Sequence, residues 1–133
     1  MITVVTSGHF NPLHIGHVKL LEEASKLGGR LTVIVSSDKQ VTLKGSKPFM
    51  NEKERCAIIK ALRCVDEVVL AIDEDKTVCK TLEMLKPTIF AKGGDSTHDN
   101  VPEKDVCKKN GIKIVFDVGG DKIQSSSWLK EML

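Results

Sequence analysis

The feature that most constrains the fold of this chain is a regular alternation between short β-branched runs and longer segments with helical periodicity. The first run, Ile2-Thr-Val-Val-Thr-Ser7, is followed by apolar residues at near-helical spacing as far as Gly28-Gly29. A second run, Leu31-Thr-Val-Ile-Val-Ser36, begins directly afterwards. Strands that are almost wholly apolar are typical of parallel sheets covered on both faces. The alternation therefore predicts an α/β fold.

The rest of the chain continues the same alternation. Further strands are expected around 68–70, 88–91 and 112–116, and further helices over 76–85 and 101–109. Asn51 is expected to cap another helix, and a last helix should begin near Ser126. Five strands alternating with helices predict a Rossmann-like three-layer sandwich around a five-stranded parallel sheet.

Length and charge limit the classes of protein that this chain can belong to. We expect one domain over residues 1–133, because this length suffices for a single core. A net charge of +2 is too mild to predict a nucleic-acid partner. No apolar stretch approaches the ~20 residues that span a bilayer, so a cytoplasmic protein without a membrane partner is expected. The four cysteines lie far apart without a Cys-x-x-Cys pair, which favours reduced thiols over a metal or redox site.

The loops that follow the strands are the expected location of a ligand site. In open parallel sheets, ligands bind beyond the carboxyl ends of the strands, near the point where strand order reverses. The predicted loops there are residues 8–13, 38–50, 92–99 and 117–125. Gly, His, Lys, Asp and Ser concentrate in these loops, so fold and composition indicate the same region.

The loop after the first strand has the sequence GHFNPLHIGH. A helix that begins near Leu13 or His14 points its N–H groups and its positive dipole end above the sheet, which favours an anion. His14 and His17 lie at i and i+3, so both rings can donate to one phosphate chain. Gly16 allows close approach of that anion, and Gly8 permits a tight exit from the strand. Either histidine alone also fits a surface or capping residue, but the combination favours a ligand site.

These residues resemble a family signature. GHFNPLHIGH is similar to the G-x-F-[D/N]-x-x-H-x-G-H pattern of nucleotidyltransferases related to the cytidylyltransferases. VSSDKQVTLKGSKPFMNEKER resembles the second loop of the small members that act on sugar phosphates and glycerol phosphate. AKGGD resembles the Lys-Gly-Gly-Asp of heptose-phosphate adenylyltransferase domains, and IQSSSWL falls where the family has Gly-Ile-Ser-Thr-Thr. The resemblance covers nearly the whole chain, in order.

The resemblance implies a reaction and a set of site residues. An acceptor phosphate attacks the α-phosphorus of an NTP in line and pyrophosphate leaves, without a protein nucleophile. The catalytic residues it implies are His14, His17 and Lys44. The nucleotide-binding residues it implies are Gly8, His9, Phe10, Asn11, Gly16, Lys47, Lys92, Gly94, Asp95, Ser125, Ser126 and Ser127. Mg²⁺ is expected to bind with the NTP, held mainly by phosphate and water, and no protein ligand for it is identified.

The second loop and the following helix supply cations. By resemblance, Lys44 holds the acceptor phosphate, and Lys47 holds the triphosphate or the same acceptor. The alternative for both is a solvated loop lysine. Arg55 resembles a family arginine near the phosphates and is assigned to acceptor binding. As a helix residue it could equally pair with Glu52 or Asn51.

Two later motifs have a structural alternative beside the functional one. In KGGD the glycines would let backbone approach a flat base, Asp95 could accept from ribose hydroxyls, and Lys92 could meet a phosphate. A plain β-turn explains Gly-Gly-Asp equally well. The three serines that begin at Ser125 could cap the last helix, clasp a terminal phosphate, or both.

The chain departs from the family pattern in two places. His9 stands where close relatives carry Thr, Ser or Cys, so an additional titratable ring is expected near the triphosphate. The C-terminal motif lacks its glycine and the arginine that some relatives place upstream, a charge for which Lys122 could substitute.

The function expected from these residues is nucleotidyl transfer from an NTP, with ATP favoured, to a phosphorylated small molecule, with a sugar phosphate favoured. Relatives are commonly dimers, so a homodimer is expected. One alternative is a CTP-dependent glycerol-3-phosphate cytidylyltransferase. Another, motivated by the departures at His9 and the C-terminal motif, is a nucleotide-binding module without turnover.

Overall fold

The computed structural model describes residues 1–94 and 101–120, and these form a five-stranded sheet flanked by helices. The strands are β1 (Thr3–Gly8), β2 (Arg30–Val35), β3 (Glu67–Leu70), β4 (Ile89–Ala91) and β5 (Lys113–Val115). The helices are α1 (Ile15–Ser25), α2 (Asp38–Leu43), α3 (Glu52–Lys60), α4 (Cys79–Leu85) and α5 (Lys104–Lys109). Every neighbouring pair of strands is parallel, which confirms the predicted α/β sandwich.

The order of the strands across the sheet is β3-β2-β1-β4-β5. From β1 the chain moves outward to β3, then crosses back to β4 on the other side of β1. Val5 in β1 pairs with Thr32 on one side and with Phe90 on the other. The connections that leave β1 and β4 therefore diverge, and this divergence opens a crevice above the carboxyl ends of the central strands.

Each face of the sheet carries its own apolar core, because successive side chains of a strand point to opposite faces. Val4 and Val33 belong to the cluster beneath α1 and α3, together with Leu21 of α1 and Ile59 of α3. The other cluster contains the following residues of β1, β2, α4, β4 and α5: Val5, Ile34, Leu82, Phe90 and Cys107. Because both faces of the sheet are buried, the sequences of the strands are nearly continuous apolar runs.

One element is missing from the sequence prediction, which placed a loop over residues 38–50. Helix α2 occupies the first part of that segment. The Ser37 hydroxyl accepts from the Gln40 backbone N–H, and the Gln40 side chain accepts from the Ser37 N–H. This reciprocal pair is a capping box, so Ser-x-x-Gln was an available signal for the start of a helix. The helix expected near Ser126 lies outside the described residues.

Within residues 1–94 and 101–120, no helix is long and apolar enough to cross a bilayer.

Candidate functional site

Helix α1 begins with a capping arrangement made from two histidines. His14 is the N-cap residue, and its Nδ1 accepts a hydrogen bond from the Gly16 N–H at 3.1 Å. The Nδ1 of His17 accepts from the His14 backbone N–H at 3.2 Å. Imidazoles therefore satisfy the first N–H groups of the helix, in positions where Ser and Glu are more usual. The prediction of a helix start at Leu13 or His14 is accurate to about one residue.

This capping fixes which ring nitrogen carries the proton. A nitrogen that accepts a hydrogen bond has no hydrogen, so in the neutral rings of His14 and His17 the proton is on Nε2. The two rings stack with centroids 3.7 Å apart and planes at 20°. The start of α1 thus presents two adjacent Nε2–H donors, each on the far side of its ring from the bonded Nδ1.

His17 remains neutral over the physiological range. Its partial burial, followed by the charges of His14 and His9, lowers the pKa of His17 to about 3. A neutral imidazole donates a hydrogen bond from Nε2 without carrying a net charge. His17 is therefore suited to hydrogen bonding with an oxyanion.

The side chain of Phe10, which was predicted to bind the nucleotide, packs in the core. Phe10 is only 1% exposed, and its ring meets the His17 ring edge-on at a centroid distance of 4.9 Å. Its backbone is in the left-handed region, at φ 51, which turns the chain inward between β1 and α1. A side chain so buried cannot contact a nucleotide directly. The Phe10 ring instead packs against the His17 ring and supports it.

A cleft of about 400 Å³ lies beyond the carboxyl ends of β1, β2 and β4. Four predicted site residues line it: Gly8, His9, Lys44 and Lys92. The sequence prediction missed four other polar lining residues, which are Ser7, Ser36, Lys76 and Glu103. All four lie at the end of a strand or in a loop at the carboxyl edge of the sheet, and that position was the available signal.

The lysines give this cleft its electrostatic character. Lys44, Lys76 and Lys92 come from three different loops and line the same space. Lys76 is carried by a braced loop, because the Gln40 side-chain amide donates to the carbonyls of Asp75 and Thr77 at 2.9 and 2.8 Å. Converging ammonium groups attract polyanions, so the cleft is suited to phosphorylated ligands.

Arg55, which was predicted to bind the acceptor, has a buried side chain with internal hydrogen-bond partners in this structure. Arg55 is 0% exposed. Its guanidinium donates to the carbonyls of Met50 (3.0 Å), His9 (2.8 Å) and Ser36 (2.7 Å). Its remaining terminal nitrogen pairs with the Asp38 carboxylate at 2.6 Å, rather than with a neighbour in α3. Arg55 thus braces the loops beneath the cleft and has no surface left for a ligand.

The side chain of Asn11, which was predicted to bind the nucleotide, has a similar bracing role. It is 1% exposed. Its Nδ2 donates to the Lys47 carbonyl at 2.9 Å, and its Oδ1 accepts from the Phe49 N–H. Lys47 itself borders a separate hollow of about 530 Å³ formed by residues 45–49. The structure therefore brings Lys44, but not Lys47, to the cleft that Gly8 and Lys92 line.

Gly94 has a packing reason to be glycine. A Cβ at this position would lie 2.5 Å from the carbonyl oxygen of Gly120. The absence of a side chain thus lets the loops after β4 and β5 touch. The other predicted residues of these loops, Asp95 and the serines at 125–127, lie outside the described residues.

The cysteines do not form a second centre in the described part of the chain. All four are free thiols, and burial raises the pKa of the Cys107 thiol to about 11. Residues 1–94 and 101–120 contain no group of three or more His, Cys, Asp or Glu side chains arranged to hold a metal ion. The redox alternative therefore gains no support from these thiols.

Comparison with known proteins places the chain among nucleotide-handling enzymes. A family model described as cytidylyltransferase-like matches residues 5–128. An FAD synthase from Ferroglobus placidus is 42% identical over 113 residues, covering 85% of this chain and 72% of the relative. The bifunctional protein HldE from Geobacter metallireducens is 44% identical over 121 residues, covering 88% of this chain. The chain spans only 24% of that longer protein.

One solved structure extends the likeness to three dimensions. It is a lipopolysaccharide core biosynthesis protein from Thermoplasma volcanium, which is 32% identical with a TM-score of 0.77. The match covers 93% of this chain and 99% of that one.

Proposed function

The chain belongs to the cytidylyltransferase-like family of nucleotidyltransferases, and from this premise we propose that it transfers AMP from ATP to a phosphorylated small molecule. A sugar phosphate is the proposed acceptor and pyrophosphate the proposed leaving group. The observation that carries the proposal is the capped, stacked pair of His14 and His17 at the start of α1, in a protein that also has a cleft lined by His9 and three lysines.

The proposed chemistry depends on positioning and on hydrogen-bond donors. An oxygen of the acceptor phosphate attacks the α-phosphorus as pyrophosphate departs on the opposite side. The Nε2–H groups of His14 and His17 donate to the α-phosphate and to the leaving pyrophosphate, where negative charge develops. Because the helix backbone holds both rings in place, little reorganisation is needed at the moment of reaction.

The remaining polar residues are proposed to hold the two substrates. Lys44 binds the acceptor phosphate, and Lys92 binds a phosphate of the nucleotide. Gly8, His9 and Gly16 allow the triphosphate to approach the start of α1. By resemblance, Asp95 accepts from ribose hydroxyls, and Ser125, Ser126 and Ser127 clasp a terminal phosphate.

Mg²⁺ is proposed to accompany ATP. The polar side chains of the cleft are mainly lysine and serine, which offer donors to phosphate rather than ligands to a metal. Phosphate oxygens and water therefore supply most of its ligands, and the ion offsets charge on the triphosphate.

Two observations bear on the choice of substrates. The product named in the FAD synthase relative contains AMP, which favours ATP over CTP as donor. The same relative makes FMN a second candidate acceptor, since FAD is AMP joined to FMN. The resemblance of AKGGD to heptose-phosphate adenylyltransferase domains keeps a sugar phosphate first.

A pyrophosphate-release screen tests the proposal. The protein is mixed with Mg²⁺, with ATP or CTP, and with mannose 1-phosphate, a heptose 1-phosphate, glycerol 3-phosphate or FMN. Release that requires ATP together with one acceptor is expected. Release only with CTP and glycerol 3-phosphate would instead identify a cytidylyltransferase. Nucleotide binding without release in any pairing would identify a module without turnover.

A further inference from the structure

We propose that Glu103 recognises a hydroxyl group of the acceptor, so that the cleft selects phosphate esters that carry hydroxyls. This inference deepens the proposed function and rests on it for the identity of the ligand. Glu103 lies in the loop between β4 and α5, lines the lysine-bearing cleft, and is 5% exposed.

The two carboxylate oxygens of Glu103 have different environments. Oε2 accepts a hydrogen bond from the Val78 N–H at 3.0 Å, which joins the β4–α5 loop to the start of α4. Oε1 is buried and has no hydrogen-bond partner among the described residues. One oxygen is thus used by the fold, and the other lacks a donor.

Such an oxygen needs an explanation, because nearly all buried polar atoms in proteins are hydrogen-bonded. None of the ion pairs formed within residues 1–94 and 101–120 includes Glu103. The lysines of the cleft therefore do not neutralise it directly. A donor supplied by a bound ligand would complete its coordination and would recover the cost of burying it.

The lining of the cleft indicates which donor that is. Ser7, Ser36 and the lysines supply polar groups, whereas Val78 and Pro102 are its main apolar surfaces. This lining has too little apolar surface to sandwich an aromatic base. Phosphate oxygens match the ammonium groups, and a hydroxyl matches an unpaired carboxylate oxygen. A hydroxylated phosphate monoester satisfies both requirements within one molecule.

The experiment compares matched ligands by calorimetry, so that it does not depend on turnover. Ribitol 5-phosphate is paired with pentyl phosphate, and mannose 1-phosphate with cyclohexyl phosphate. Each member of a pair has the same chain or ring size, and only one carries hydroxyls. Binding is measured for the wild type, for Glu103→Gln and for the control Glu83→Gln, which alters an exposed carboxylate on α4.

Glu103→Gln keeps one oxygen for the Val78 N–H and replaces the other with an NH₂ group, which cannot accept a hydrogen bond. In the wild type, at least one hydroxylated ligand should bind about tenfold to a hundredfold more tightly than its partner, the range for a hydrogen bond to a charged group. Glu103→Gln should remove most of that preference and leave pentyl and cyclohexyl phosphate unaffected. Glu83→Gln should behave as the wild type.

Two results would overturn the inference. One is equal binding of both members in both pairs by the wild type. The other is a preference for hydroxyls that survives in Glu103→Gln. If that variant does not fold, the wild-type pairs alone decide between a hydroxyl preference and none. The pyrophosphate screen could show no release while calorimetry shows a hydroxyl preference that depends on Glu103. Those two results together would reject the transfer reaction but retain the hydroxyl site.

Discussion

The imidazole rings of His14 and His17 stack at a centroid distance of 3.7 Å, and each ring binds the backbone of the same helix start through Nδ1. Two rings this close resist simultaneous protonation, because like charges repel strongly at short range. The low pKa of His17 keeps that ring neutral, and the same backbone bonds that cap α1 also orient both rings.

Removing either donor should impair turnover far more than nucleotide binding. His14→Ala and His17→Ala should each lower kcat by about 10²–10³-fold, as does loss of one oxyanion donor in other enzymes. The dissociation constant of ATP should change by only a few-fold. His14→Asn separates capping from chemistry, because Asn caps helices well but lacks the Nε2 donor. Full turnover in His14→Asn and His17→Ala would remove the pair from the chemistry.

The depressed pKa of His17 should make stability depend on pH. The folded protein holds the pKa of His17 at about 3, against an ordinary value of 6.5. Between these values the unfolded chain binds a proton that the folded chain does not. The resulting stabilisation is complete above pH 6.5 and is lost progressively as the pH falls toward 3.

The variant His17→Gln isolates this effect. Gln40 already caps α2 from the equivalent position, so a glutamine at 17 should retain the cap without titrating. Urea unfolding at pH 7, 6 and 5 should show a smaller loss of stability in His17→Gln than in the wild type. An identical pH dependence in the two proteins would show that His17 is not held neutral by the fold.

Arg55 is expected to control stability rather than ligand recognition. Arg55→Lys removes the planar group that bonds three carbonyls and one carboxylate, and leaves buried acceptors unpaired. The free energy of unfolding should fall by about 1–3 kcal/mol, the range for leaving a buried acceptor unsatisfied. Arg63→Lys, at an exposed position after α3, should change it by less than about 0.5 kcal/mol. A fully stable Arg55→Lys protein with weakened acceptor binding would restore the original substrate-binding assignment.

Asn11→Asp is a substitution that the family pattern allows, because that pattern has either Asp or Asn at this position. Asn11→Asp replaces the Nδ2 donor with an oxygen that faces the Lys47 carbonyl, so two acceptors meet at a buried site. Stability should fall by about 1–3 kcal/mol, the range for an unsatisfied buried group. Thermal unfolding measures this, with Asn51→Asp as a control because its side chain uses only an oxygen to cap α3. Unchanged stability in Asn11→Asp would mean that the loop does not depend on this amide.

The sheet could be predicted because its signals are local. Alternating apolar runs and helical periods lie within single elements, and parallel strands leave both sheet faces apolar. The location of the site followed from topology, since Lys44 and Lys92 both come after strands that end at the same edge. Helix α2 was missed because its six residues show little apolar periodicity and depend on the Ser37 cap.

The division between binding and bracing residues could not be predicted. Arg55 and Asn11 are polar types that suit phosphate or nucleotide recognition as well as they suit internal hydrogen bonds. Their partners lie far away in sequence, with Arg55 bonding the carbonyl of His9 across 46 positions. Glu103 was missed for the converse reason, because nothing near it in sequence shows that Oε1 is buried without a donor.

The central claim is that His14 and His17 stabilise nucleotidyl transfer at this cleft. The most direct measurement follows ATP labelled at the α-phosphate, with the acceptor that is active in the screen, by mass spectrometry. Wild-type protein should yield the labelled AMP–acceptor conjugate and pyrophosphate in equal amounts, and the His14→Ala, His17→Ala double variant should yield neither at a comparable rate. A conjugate formed equally fast by the double variant would contradict the account, as would a wild-type protein that releases only inorganic phosphate.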